Sequence, residues 1–255
     1  MNGLRCYGVA ALSKMPPILI SNDELAPFSA KWLELGGRLA RTPPASSLDF
    51  GNIFDLKVGQ SLATFLGGIR IVVPSSTALT PSVPDCVEVG PVRVVGGVRP
   101  QNFDVGYRPD GVRVAFDSKT LNDKKSVAKN YQNMINDLAT EATTVHTRFP
   151  YAVVAFMVVI PGPCLAPTQL AGLIGTLERL GGRSLVDEPL HRAEVLSFVV
   201  WDPETSSLST TLPVPDSPLR VERFSATLEA IYRERYKGLP PHAEAPLEPA
   251  GPGDE

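Results

Sequence analysis

The chain is predicted to be an α/β protein with a mixed central β-sheet flanked by helices. Three segments carry that prediction. Residues 152–160, Ala-Val-Val-Ala-Phe-Met-Val-Val-Ile, are apolar on both faces, which suits a central strand covered by helices on each side. Residues 86–95 and 102–119 are rich in Val and aromatic side chains with period two, punctuated by Gly96-Gly97 and Arg108-Pro109-Asp110-Gly111, the pattern of an antiparallel meander. Between them and the apolar strand, residues 123–147 place Val127, Tyr131, Met134, Leu138, Ala142 and Val145 on one stripe of period 3.6, the mark of a long amphipathic helix.

The remaining elements follow in order. A helix is expected over 27–40, with Phe28, Trp32, Leu35 and Leu39 on one side, and another over 53–66. The Pro/Ser/Thr-rich stretches 42–47 and 74–84 interrupt the periodic segments but do not separate two self-sufficient cores. After the central strand come a helix over 167–180, a strand over 194–201 and a helix over 218–236, with Trp201 and Phe224 in the core. Residues 239–255 combine prolines with Glu244, Glu248, Asp254 and Glu255 and almost nothing large and apolar. They are expected to form a disordered acidic tail, because burial cannot offset the entropy of ordering them. The reading is one domain over 1–238, with an N-terminal helical part (1–85), a core (86–202) and a C-terminal helix region (203–238).

Composition narrows the function classes. With 43 % hydrophobic and 20 % charged positions, 255 residues can bury a full core. No apolar run approaches the ~20 residues of a membrane helix. Cys6, Cys86 and Cys164 lack CxxC or Cys/His ligand spacing, which argues against a disulfide scaffold or a structural zinc site and for a reducing cytoplasm. Residues 1–14, broken by Gly3, Gly8 and Ser13, lack the pattern of a signal peptide, so export is not expected. The net charge of −3 is owed to the acidic tail, which holds no Lys or Arg. For a near-neutral body a local basic patch, not the total, decides whether nucleic acid binds.

One constellation carries chemistry. Phe103, Val105 and Tyr107 on one arm of a ribbon must share a face with Val112, Val114 and Phe116 on the other, so opposed residues sum to an odd number. A four-residue or two-residue loop satisfies that parity and sets Asp104 opposite Ala115, with Asp117 its diagonal neighbour and Lys119 further along the same face. A three-residue loop with a glycine bulge reverses the parity; it is disfavoured because it buries Asp104 under the core. Two converging carboxylates suit Mg²⁺, which prefers oxygen ligands completed by water and phosphate. Asp104 and Asp117 supply the charge, the Ser118 peptide oxygen a third ligand, and Lys119 a cation to orient water or stabilise charge on phosphorus.

Asp104, then Asp117-Ser118-Lys119 and a following helix, resembles the PD-(D/E)xK nuclease superfamily, in particular type II restriction endonucleases, over residues 87–160. The resemblance implies a restriction-endonuclease-like fold, Asp104 and Asp117 as ligands of one or two Mg²⁺, Lys119 as the catalytic lysine, and DNA cleavage by direct attack of water. It also implies a homodimer acting on a specific double-stranded site. Alternatives are a repair or phage-defence nuclease without palindromic specificity, and a non-catalytic binding or scaffold protein. Two departures stand out. Phe103, not proline, precedes Asp104, and the literal Pro109-Asp110 falls in the turn. Family members commonly add a glutamate from an upstream helix, for which Glu34 and Glu88 are both open.

On the helix after the triplet, Lys124, Lys125, Lys129, Asn130 and Asn133 are candidates for DNA contacts, lysines to phosphate and amides to bases. Other features point elsewhere. His146 and His191 have no acid at metal spacing and are assigned structural or surface roles. The Gly67-Gly68, Gly96-Gly97 and Gly181-Gly182 pairs are turn signals without GxGxxG or a Walker A loop, so no nucleotide cofactor is expected. Cys164 has no base partner. Arg220, Arg223, Arg233 and Arg235 interleave with Glu222, Glu229 and Glu234 as surface pairs.

Overall fold

The computed structural model describes residues 12–239; the greater part of the expected tail lies outside that range. Two helices, α1 (Asn22–Glu34) and α2 (Ser47–Phe65), precede the short strand β1 (Arg70–Val72). Then follow β2 (Cys86–Val95), β3 (Pro100–Tyr107), β4 (Val114–Thr120), α3 (Lys124–Arg148) and β5 (Val153–Pro161). The described chain closes with α4 (Pro167–Leu180), β6 (Val195–Asp202), β7 (Ser207–Leu208) and α5 (Val221–Arg235). All seven strands form one sheet in chain order. Strands β2, β3 and β4 pair antiparallel, β4, β5 and β6 parallel, and the short edges β1 and β7 join parallel and antiparallel respectively. The result is the mixed, helix-flanked α/β sheet that the patterning predicts, with β5 buried along its whole length. No described helix is long and apolar enough to cross a membrane.

The face bearing Tyr107 and Phe116 lies under α5, where Tyr107 meets the Tyr232 ring and Phe116 meets Phe224. Helix α2 packs beside α5 through Phe65 and Tyr232. Gly59 brings α2 close to β2, since a Cβ there would stand 2.3 Å from a Val89 methyl. The opposite face carries α3.

Boundaries differ from the predicted ones where caps outweigh propensity. Helix α1 starts five residues before the predicted Pro27 because Ser21 and Glu24 form a capping box, and it stops at Glu34 ahead of Gly36 and Gly37, both at positive φ. A second box, Ser46 with Asp49, starts α2 six residues before the predicted Ile53. That extension brings Phe50 and Gly51 into the helix ahead of Asp55. Arg235, expected at the surface, is buried against Glu194, whereas Arg220–Glu222 and Arg233–Glu229 pair as the pattern indicates.

Candidate functional site

The ribbon of β3 and β4 keeps the expected parity but is shifted by two residues. Gly106, not Asp104, opposes Ala115; Val105 opposes Phe116 and Tyr107 opposes Val114. The turn is correspondingly longer than either loop considered from sequence, spanning residues 108–113, and ion pairs hold it. Arg108 makes a two-pronged pair with buried Glu88, Nε to Oε2 and Nη2 to Oε1, each at 2.7 Å. Arg113 grips Asp110, with Nε 2.8 Å from Oδ1, and the Arg113 N–H donates to the Tyr107 carbonyl at 2.9 Å. A side-chain pattern cannot distinguish registers two residues apart, because both leave the same face buried.

The shift tightens the acid pair. Regular pairing ends at Val105–Phe116, one step before Asp104 and Asp117. There the Ser118 N–H donates to Asp104 Oδ2 at 2.9 Å, so a carboxylate closes the ladder. Strand β2 contributes a bulge at the same level. Val89 pairs with Val105 and Val92 with Phe103, which leaves Gly90 and Pro91 together facing Asp104. Gly90 takes φ 129°, a conformation that glycine adopts without strain. The expectation that Asp104 and Asp117 share one side of the sheet therefore holds, and the two carboxyls share a hydrogen bond.

A third acid, absent from the sequence reading, joins them. Asp55 of α2 is only 6 % exposed and lies within hydrogen-bond reach of the Ser118 side chain. It lines one hollow of about 290 Å³ with Asp104, Asp117, Ser118, Asn52 and Thr120. Its Oδ1 is buried without a partner. The two upstream glutamates considered from sequence are elsewhere. Glu34 is at the surface with Lys31, and Glu88 is neutralised by Arg108.

Lys119 faces the same side as Asp117. Its Nζ donates to Asp117 and, at 2.7 Å, to Oε1 of Glu141 on α3. Glu141 is a second acid that the sequence reading missed.

Protonation follows from this crowding. Burial pushes the Asp55 carboxyl up, and the neighbouring Asp104 adds to it. Asp104 is raised for the same reason and by its hydrogen bond and charge contact with Asp117. Burial lifts Asp117 to about 6, even though Asp104 and Lys119 both favour its ionised form. Burial alone would lower the Lys119 pKa, but the flanking carboxylates of Asp117 and Glu141 raise it, so the side chain stays an ammonium. With Glu141, four acids gather around one cation, and hard oxygen donors are what Mg²⁺ prefers. The unpartnered Asp55 oxygen fits such an ion. Among the described residues, no three His, Cys, Asp or Glu side chains already close on a common point.

Of the other predicted residues, Asn130 and Asn133 line an adjoining hollow of about 430 Å³ with Ser118 and Lys119. Lys124, Lys125 and Lys129 are exposed on the first two turns of α3 but do not line it. His146 is buried between the Leu190 carbonyl and Glu194, a structural position. Cys164 is buried, and its thiol is pushed up to about 11, mainly by burial, far from a nucleophile's range. A larger hollow of about 710 Å³ lies at the turn, lined by Arg93, Arg108, Arg148 and Phe149, away from the acids. No protein-family model, curated protein or solved structure matches this chain.

Proposed function

We propose that the protein is a Mg²⁺-dependent endonuclease of the PD-(D/E)xK type, a homodimeric type II restriction endonuclease that hydrolyses double-stranded DNA at a specific site. The observation that carries this reading is the meeting of Asp104 and Asp117 on one side of the split β3–β4 ribbon, with Lys119 beside them. Asp55 adds a carboxylate from an upstream helix, the place where the resemblance calls for one.

Asp55, Asp104 and Asp117 would hold the cation. When bound, it supplies Lewis-acid polarisation of the phosphate and lowers the pKa of water in the cleft. The chain's own groups do the rest. Holding the cation would require the raised carboxyls of Asp55 and Asp104 to release their protons. Lys119, kept charged, offers a donor to the negative charge that builds on the non-bridging phosphate oxygens as a water–phosphorus bond forms and the bond to the leaving oxygen breaks, the water's proton passing through solvent to that leaving oxygen. Asn130 and Asn133 border the hollow from which a base edge or backbone can be read, and the α3 lysines supply phosphate contacts. A twofold-related second copy would cut the second strand of a palindromic site.

Plasmid incubated with the protein and Mg²⁺ is expected to yield discrete bands. Smears or nicks support cleavage without palindromic specificity, and intact plasmid rejects the nuclease reading. Asp117→Asn is expected to lower the single-turnover rate about a thousandfold, with the thermal melt showing an intact fold. A variant that cuts like wild type would remove Asp117 from the site.

A further inference from the structure

We infer that Glu141 is the positioning residue for Lys119, setting the direction in which the ammonium faces the cleft. The inference rests on the nuclease reading above and adds a residue from outside the Asp-Ser-Lys triplet.

An ammonium has three N–H donors on a flexible stem and no geometry of its own to aim them. Here one donor goes to Asp117 on the same strand and a second to Glu141 Oε1 at 2.7 Å, from helix α3, which borders the 430 Å³ hollow with Lys119. Two acceptors from different elements fix the orientation of the third donor. The lysine side chain is 22 % exposed and Glu141 only 6 %, so the anchor is buried while the anchored group borders the open hollow.

A merely structural role fits Glu141 poorly. It lies one helical turn from Leu138 and Val145, in line with the apolar stripe of α3, where burying a carboxylate is costly. Its Oε2 is buried with no hydrogen-bond partner, so the residue does not repay that cost by a satisfied network. An apolar residue of equal size would pack this position better. What Glu141 supplies is an acceptor for Nζ that is separate from the carboxylates of the 290 Å³ hollow, none of which it shares that hollow with. Lys119 thus stays anchored when Asp117 is engaged by another group.

The test compares wild type with Glu141→Met, which keeps volume and removes the acceptor, and with Glu141→Gln, which keeps an acceptor oxygen. Single-turnover rate and KM for plasmid are measured at fixed Mg²⁺. Glu141→Met is expected to lose about 10–100-fold in rate, the range for residues that orient a reacting group from behind, with KM unchanged and a cooperative thermal melt showing that the variant is folded. Glu141→Gln is expected to recover part of the loss. Wild-type rates in Glu141→Met, or a loss confined to KM, overturn the inference while leaving the nuclease reading intact. Wild-type protein that cuts no DNA overturns the nuclease reading instead. Crystals of Glu141→Met judge the positioning without reference to cleavage: Nζ is expected to leave its place beside Asp117, and an unmoved Nζ overturns the inference. Should Glu141→Met not fold, Glu141→Ala carries both measurements, with a rate at wild-type level or an unmoved Nζ overturning the inference.

Discussion

Two buried charge clusters sit on the same sheet and are built on opposite principles. At the start of β6, Glu194 is 1 % exposed and every oxygen is used. Oε1 accepts from Arg183 at 2.6 Å and Arg235 at 2.8 Å; Oε2 accepts from the Val154 N–H at 2.7 Å and faces His146 Nε2 at 3.1 Å. Burial pushes its pKa up, yet the His146 ring and Arg235 outweigh burial and the net shift is downward. At the β3–β4 split, by contrast, Asp55, Asp104, Asp117 and Glu141 share one lysine, and oxygens of Asp55 and Glu141 have no partner. A carboxylate satisfied at both oxygens fixes α3, α5 and β6 to one another. The other cluster leaves oxygens of Asp55 and Glu141 without partners and raises the Asp55 and Asp104 carboxyls, the condition expected of groups that exchange protons for a ligand.

The largest expected contrast comes from Glu194→Gln. It strands two guanidiniums in the interior and is expected to cost about 3–5 kcal/mol in denaturant unfolding, the range for breaking a buried ion pair, while the variant cuts DNA normally wherever it remains folded. A loss of under a kilocalorie would mean the two clusters do not differ as argued. Next in size is the response to pH. Asp55, Asp104 and Asp117 hold protons in the folded chain that an unfolded chain releases near pH 4, so they stabilise the metal-free protein fully below that pH, and the contribution fades as pH rises through their raised folded values, about 6 for Asp117. The melting temperature without metal is therefore expected to fall between pH 4 and 8, and Mg²⁺ at a hundredfold its Kd to restore about 2.7 kcal/mol. Glu194, with its lowered value, has the reverse sign and weakens the fold only in acid. A metal-free melting temperature that climbs across pH 4 to 8 would contradict the protonation assigned to the cleft. The smallest effect is expected at Lys129: replacing it with Ala removes one exposed cation and should reduce the salt slope of DNA binding by about 1, leaving stability unchanged.

Parity, the α3 stripe and the two-sided apolarity of β5 were legible because each is a local repeat that burial imposes. The shift of two residues in the ribbon was not, since Arg108–Glu88 and Arg113–Asp110 decide it across the loop. Asp55 and Glu141 left a signal that could have been used. Asp55 falls in line with Gly51, Val58 and Leu62 on the buried side of α2, and Glu141 in line with Leu138 and Val145 on α3. An acid on an apolar stripe is either misplaced or functional, whereas Glu34 and Glu88 were weighed only for their position upstream. The start of α2 was missed because the capping Ser46 lies in the stretch 42–47 that composition marks as loop.

The amide of Ser118 ends its ladder on a side-chain oxygen and not on a neighbouring backbone carbonyl. Secondary structure at that point is thus wired to a titrating group. A ligand that takes up Asp104 Oδ2 is expected to loosen that amide, and hydrogen exchange at Ser118 measures it.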